Sequence, residues 1–254
     1  MRKLFLLSLG CSKNTVDSER LMAQAAASGL LFTEEPDEAD TIVVNTCGFI
    51  RDAKEESIAE TLAAIDKKVN GSVQKVFVMG CLPELHRKEL QEELPEVDGF
   101  FGTRELPQVL TAIGARYRRE LFDTRILLTP PHYAYLKIAE GCDRHCSFCS
   151  IPKIRGGYAS RAPEQLLHEA LLLQHSGVTE LNLVAQDITM YGYDLEGRSL
   201  LNDLLLRLSD MAFRRIRLLY AYPVNFPLAV IETMRNRRNI CNYLDLPKDR
   251  KSVV

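Results

Sequence analysis

Short apolar runs alternate along this chain with longer stretches in which apolar residues return every three or four positions. Residues 3–8, 41–45 and 75–79 are compact runs rich in Val, Ile, Leu and Phe, and they read as buried strands. Residues 17–28, 53–68, 84–94 and 106–114 carry the helical period instead. Alternation of this kind predicts a parallel sheet covered by helices, since parallel strands need a crossover connection. Right-handed crossovers then place every strand's C-terminal end on one edge. The pattern breaks over residues 125–132, where Pro130 and Pro131 bar a continuing helix. It resumes with strands at 134–139, 180–184, 215–220 and 243–246, separated by helices at 163–175, 200–208 and 228–235. Four strands and three intervening helices make half of an eight-stranded βα barrel.

The expected fold class is therefore α/β, with an open parallel-sheet domain of Rossmann or flavodoxin-like type over residues 1–129 and a truncated βα barrel over 130–247. At 254 residues and 46% hydrophobic content the chain can bury a sizeable core. Lys and Arg total 32 against 34 Asp and Glu, so a net charge of -2 gives no global case for a polyanionic partner. No run approaches the roughly 18 apolar residues of a membrane span. The opening MRKLFLLSLGC superficially resembles a lipoprotein signal, yet its apolar stretch is short and broken by Ser8, and it reads better as a first buried strand. A cytoplasmic, thiol-preserving compartment follows, and no membrane partner is expected.

Seven cysteines are odd in number and dispersed, unlike a disulfide framework. Cys11, Cys47 and Cys81 each fall just past a predicted strand, in SLGC, VNTC and VMGC, at the sheet edge where ligands bind. One such cysteine is an ordinary small residue in a turn. Three at equivalent places point to soft-metal binding, as zinc or an iron-sulfur cluster, with no fourth ligand evident. The loop EGCDRHCSFC, residues 140–149, holds Cys142, Cys146 and Cys149 in C-x3-C-x2-C spacing after a barrel-like strand. Three thiolates on one cubane leave one iron without a protein ligand, open to chemistry. A structural zinc site with His145 as fourth ligand is the competing reading, and the spacing and strand context disfavour it. Arg155 and Arg161 follow the loop and offer guanidinium forks for a carboxylate, or are solvated loop arginines. Gln186 and Asp187 end the second barrel strand, where barrel catalytic groups collect. Cys241 reads as a small packing group before the last strand, and His86 and His168 as surface positions.

The cysteine loop resembles the signature of radical S-adenosylmethionine (SAM) enzymes, with Phe148 at the aromatic position before its last cysteine. With the three upstream cysteines, the chain is similar to the methylthiotransferases. LGCSKNTVDSE, NTCGFI, GCLPE, PEVDGFFG, AYLKIAEGCDRHCSFCSIP and QDITMYGYDL look like the branch that modifies ribosomal protein S12, over residues 1 to about 247. The resemblance implies two [4Fe-4S] clusters. Cys142, Cys146 and Cys149 would hold the catalytic one, whose free iron binds SAM. Reduction by an electron donor then yields a 5'-deoxyadenosyl radical that abstracts a hydrogen atom from the β-carbon of an aspartate in S12. Cys11, Cys47 and Cys81 would bind the auxiliary cluster that presents the sulfur. Phe148, Arg161, Gln186 and Asp187 would line the SAM site.

Departures from the family pattern are GGYASRAP in place of a more basic stretch, QDIT for QDTT, and Lys248 where a Gln-His pair is expected. The remaining barrel strands and the C-terminal TRAM domain of the family are also absent, so the expectation is cluster binding without assured turnover. Alternatives are the tRNA-modifying branch, which carries GCQMN-like residues where this chain has Gly10 to Asn14, and a non-catalytic metal-binding module. Nucleic acid is a partner only in the first of these. Residues 249–254 correspond to GAT CGG AAG AGC GTC GTG, a common sequencing-adapter string, so the tail 248–254 is expected to be an artefact. Resequencing of the source locus that finds this tail encoded natively would reject that expectation.

Overall fold

The computed structural model describes residues 2–144, 146–224 and 226–246. The chain divides into two compact units, Met1–Ile126 with His145–Arg155, and Leu127–Arg144 with Gly156–Val254.

The first unit is built on five parallel strands, β1 (Lys3–Ser8), β2 (Leu31–Phe32), β3 (Thr41–Thr46), β4 (Lys75–Gly80) and β5 (Gly99–Phe101). Their order is β2-β1-β3-β4-β5, the flavodoxin-like order. Helices α1 (Ser12–Ala26), α2 (Arg51–Val69), α3 (Cys81–Glu93) and α4 (Leu106–Ala112) cover the sheet. Alternation along β3 shows why both faces are covered: Ile42 and Val44 enter one apolar cluster with Val76, Val78 and Ile65, while Val43 enters another with Leu4, Phe77 and Leu21. A strand buried on both faces lacks polar alternation, and its sequence is a continuous apolar run.

The second unit carries β6 (Tyr133–Lys137), β9 (Glu180–Val184), β10 (Arg215–Leu218) and β11 (Ile240–Leu244) as a four-stranded parallel sheet in the order β11-β10-β9-β6. A small antiparallel pair, β7 (Ala139–Glu140) and β8 (Ala159–Ser160), stands beside it. Helices α6 (Pro163–His175), α8 (Leu201–Ser209) and α9 (Ala229–Asn236) follow β8, β9 and β10, and α7 (Tyr193–Glu196) is a single turn. Leu201, Leu204, Leu205 and Leu208 on α8 are all buried, one face of a 3.6-residue period packed on Leu181, Leu183, Ile216 and Leu218.

Several expectations need correction. Helix α1 begins at Ser12 rather than near residue 17, because Ser12, Lys13 and Asn14 are polar yet buried and so hide the helical period. The strand expected at 134–139 ends at Lys137 and continues, after Ile138, as the separate pair β7 and β8. The last strand lies at Ile240–Leu244, not 243–246, so Cys241 sits inside it and half-buried rather than before it. Pairing of Ile216 with Ile240 recruits these residues despite polar neighbours. His86 is half-buried rather than a plain surface residue: it marks a kink in α3 and lies 3.3 Å from Lys54 Nζ and 2.7 Å from Glu89. The division at 129/130 also misses that residues 145–155 return to the first unit, where α5 (Ile151–Arg155) packs on α3 and Thr103 Oγ1 donates to Ile154 O at 2.9 Å. Residues 247–254, including the tail from 248, lie outside the described residues.

Leu181 is fully buried at the centre of the second sheet. Replacing it with Ala is expected to cost about 2–5 kcal/mol by urea denaturation followed by circular dichroism, the range for a truncated core leucine.

Candidate metal and cofactor sites

Cys11, Cys47 and Cys81 follow three strands that are neighbours in the sheet, β1, β3 and β4. The strand order reverses at β1 and β3, which opens a crevice at their C-terminal ends. Cys11 is the residue before α1, Cys47 directly follows β3, and Cys81 is the first residue of α3. Glycines let the three turns close in on one another. Gly10 has φ +88°, and a Cβ there would lie 2.7 Å from Cys47 Cβ and 3.2 Å from its Sγ. A Cβ on Gly48 would stand 2.9 Å from Cys81 O. Gly80 has φ +102° and abuts Asn45 Oδ1 and the Thr46 backbone, so side chains larger than hydrogen would push the β4 turn away from β3.

Polar residues that sequence reading did not single out hold these turns. Asn14, fully buried, donates through Nδ2 to Leu9 O at 3.0 Å and Thr46 O at 2.9 Å, tying the β1 turn to the β3 turn. Its Oδ1 accepts from Arg155 and lies 3.7 Å from Cys81 Sγ. Asn45 Nδ2 donates to Asn14 O and Ser18 Oγ. Ser57 on α2 accepts from Cys47 N and donates to Cys47 O, each at 3.0 Å. Arg155 is 2% exposed, so the reading of it as a solvated loop arginine is corrected. Its guanidinium donates to Asp17 Oδ2 at 2.8 Å and approaches Cys81 Sγ at 3.6 Å. The Cys81 thiol is pushed up to about 11, mainly by burial, against the opposing pull of Arg155 and with added repulsion from Cys11 and Cys47.

Among the described residues, no three of His, Cys, Asp and Glu surround a point closely enough to hold one metal ion. A cubane takes each thiolate on a different iron, and three soft thiols around a glycine-cleared crevice fit that demand.

The second set lies past β7. Gly141 has φ +76°, and a Cβ there would lie 2.1 Å from Gly157 O and 2.6 Å from Gly156 O, so the Gly156-Gly157 backbone clasps the start of the loop. Cys142 N donates to Gly156 O at 3.0 Å, and Asp143 Oδ1 accepts from Tyr158 N at 2.9 Å. Cys146 and Cys149 are half-buried and joined by a turn in which Cys149 N donates to Cys146 O at 3.0 Å. Phe148 is 86% exposed. His145, the other zinc ligand considered, lies outside the described residues.

Gln186 and Asp187 follow β9 as expected but behave differently. Gln186 Nε2 donates to Glu140 Oε1 at 3.3 Å, while its Oε1 is buried with no partner among the described residues, an acceptor fit for a bound donor. Both Asp187 carboxylate oxygens are occupied, Oδ2 by Arg144 Nε at 2.8 Å and Oδ1 by Thr189 N and Oγ1. Arg144 also stacks on Tyr222, 3.8 Å from its centroid, so Asp187 anchors a loop residue rather than offering a free contact. Arg161 is likewise committed, to the buried Glu169 at 2.6 Å and to Lys137 O at 3.1 Å. Arg144 lies 43 positions from Asp187, so local pattern carries no signal of that pair.

Comparison with known proteins agrees with this layout. Residues 3–102 match the model described as Uncharacterized protein family UPF0004, and residues 136–244 match the Radical SAM superfamily. The chain is 76% identical over 247 residues to the ribosomal protein uS12 methylthiotransferase RimO of Chlorobium limicola, covering 97% of this chain and 58% of that protein. It is 75% identical to the RimO of Pelodictyon phaeoclathratiforme and 74% to that of Chlorobaculum tepidum, each over 96% of this chain and 57% and 56% of theirs. Over nearly its whole length the chain is thus similar to radical SAM methylthiotransferases. It spans little more than half the length of these curated relatives. The fold is shared at much lower identity: the radical SAM methyltransferase TsrM of Kitasatospora setae is similar at TM-score 0.66 and 14% identity, over 98% of this chain and 59% of that one.

In the metal-free chain, Cys81 is expected to resist iodoacetamide at about pH 8, since only the thiolate reacts. Its rate should climb about tenfold per pH unit as the pH approaches about 11, read by mass spectrometry of its peptide. Free-cysteine reactivity at pH 8 would contradict the buried, thiol-favouring environment.

Proposed function

We propose that this chain is the cluster-bearing portion of an enzyme that attaches a methylthio group to the β-carbon of an aspartate in ribosomal protein S12. The observation that carries this is the convergence of Cys11, Cys47 and Cys81 at the β1/β3 crevice in a chain that also has a C-x3-C-x2-C loop. Relatives at 74–76% identity bear the uS12 methylthiotransferase name, which supports S12 over tRNA as the substrate.

Cys142, Cys146 and Cys149 would hold one [4Fe-4S] cluster and Cys11, Cys47 and Cys81 the other. When bound, the first supplies reductive cleavage of SAM and the second supplies the sulfur. The chain's own residues then bind, orient and exclude water. Gly141 and Gly156-Gly157 fix the loop's entry, and the contacts of Asp187 and Tyr222 fix Arg144, one of the three residues between the first two loop cysteines. Gln186 Oε1 would accept a hydrogen bond from SAM, and Phe148, being exposed, would cover the cofactor rather than fill the core. Arg161, neutralised by Glu169, would shape the cavity wall instead of binding the SAM carboxylate. A one-electron donor is required. No described helix is long and apolar enough to cross a membrane, and a reducing cytoplasm would keep the six thiols available.

Anaerobic reconstitution should give about eight irons per chain, four for each cubane. Replacing either trio with Ala should leave about four, and only loss of the loop trio should abolish SAM cleavage under reductant. Zinc without iron would overturn this in favour of a non-catalytic module. With the chain completed to the length of its relatives and supplied with SAM, reductant and sulfide, the methylthio group should appear on S12 by mass spectrometry. Modification of tRNA alone would overturn the substrate assignment.

A further inference from the structure

Arg155 is a fully committed buried cation placed where the proposed SAM chemistry has no use for it. It ends α5, which packs on α3, the helix that Cys81 begins. Asp17 on α1 and Asn14 hold the guanidinium in place, and its Nη2 approaches Cys81 Sγ at 3.6 Å. We propose that Arg155 is a positioning residue that tunes the reduction potential of the cluster held by Cys11, Cys47 and Cys81. The inference rests on the cluster assignment above and deepens it.

The physical case has three parts. A cluster gains negative charge on reduction, so a cation and a hydrogen-bond donor at a ligating sulfur favour the reduced form and raise the potential. Burial strengthens this interaction, because little solvent screens a guanidinium that is 2% exposed. Asp17 opposes the effect: its carboxylate compensates the same guanidinium while its side chain remains partly solvated. Arg155 and Asp17 should therefore move the potential in opposite directions. A purely mechanical role for Arg155, fastening α5 to α3, predicts changes in stability and iron retention but no such pair of signs.

The test uses the whole chain with Cys142, Cys146 and Cys149 replaced by Ala, so that only the first centre can carry iron. The midpoint potential is read by electron paramagnetic resonance during an anaerobic redox titration. Arg155→Gln should lower the potential and Asp17→Asn should raise it, each by on the order of tenfold in the reduced-to-oxidised ratio, about 59 mV for one electron. Arg155→Lys, which keeps the charge, should fall between the parent and Arg155→Gln. Should Arg155→Gln bind no iron, the sign of the Asp17→Asn and Arg155→Lys shifts decides instead. Unchanged potentials in variants that retain about four irons would overturn the role of Arg155 and leave the cluster assignment standing. A parent that binds no iron would instead remove the cluster assignment, and this inference with it.

Discussion

Parallel pairing of β1, β3 and β4 in one register is the constraint on which the first site depends. Ser8 pairs with Asn45, and Thr46 with Gly80, so the three strands end at nearly the same level. Strands in a sheet lie about 4.8 Å apart, and each cysteine follows its strand by no more than three residues. The thiols are gathered by the sheet before any ligand contributes. Because every crossover in this unit joins parallel strands, the same edge collects all three turns.

Gathering them has a cost that the sequence shows only indirectly. Asn14, Asn45, Ser18 and Ser57 are buried polar groups, and each would be destabilising without partners. Here they satisfy one another and the turn carbonyls, which turns a liability into a rigid frame. A buried network with its bonds made restricts the cysteines to one arrangement, where an apolar filling would let the turns drift. Arg155 adds a buried charge to that frame, offset by Asp17.

The start of the second cysteine loop is built differently. Backbone carries much of the geometry: Gly141 lies against Gly156 and Gly157, and Cys142 N bonds to Gly156 O. Ion pairs do the rest, with Asp187 holding Arg144 and Glu169 holding Arg161. Two residues that look from their position like cofactor contacts are thus supports for their neighbours, whereas Gln186 keeps a buried acceptor without a partner among the described residues.

Periodicity and spacing alone determined much of this protein. The buried runs at β1, β3, β4 and β9 and the helical period of α6 appear in the sequence at or near their structural bounds, because a strand covered on both faces and a one-sided helix leave opposite signatures. The two cysteine sets were legible as well, one from three strand ends and the other from its C-x3-C-x2-C spacing. Strands as short as β2 and β5 were not, having too few residues to show a period. Tertiary structure alone decided which polar residues serve the cysteines. Asn14 meets Thr46 across 32 positions, and Arg155 meets Asn14 across 141, Asp17 across 138 and Cys81 across 74. Contacts of that range follow from how the sheet and helices pack, and local residue pattern carries no record of them.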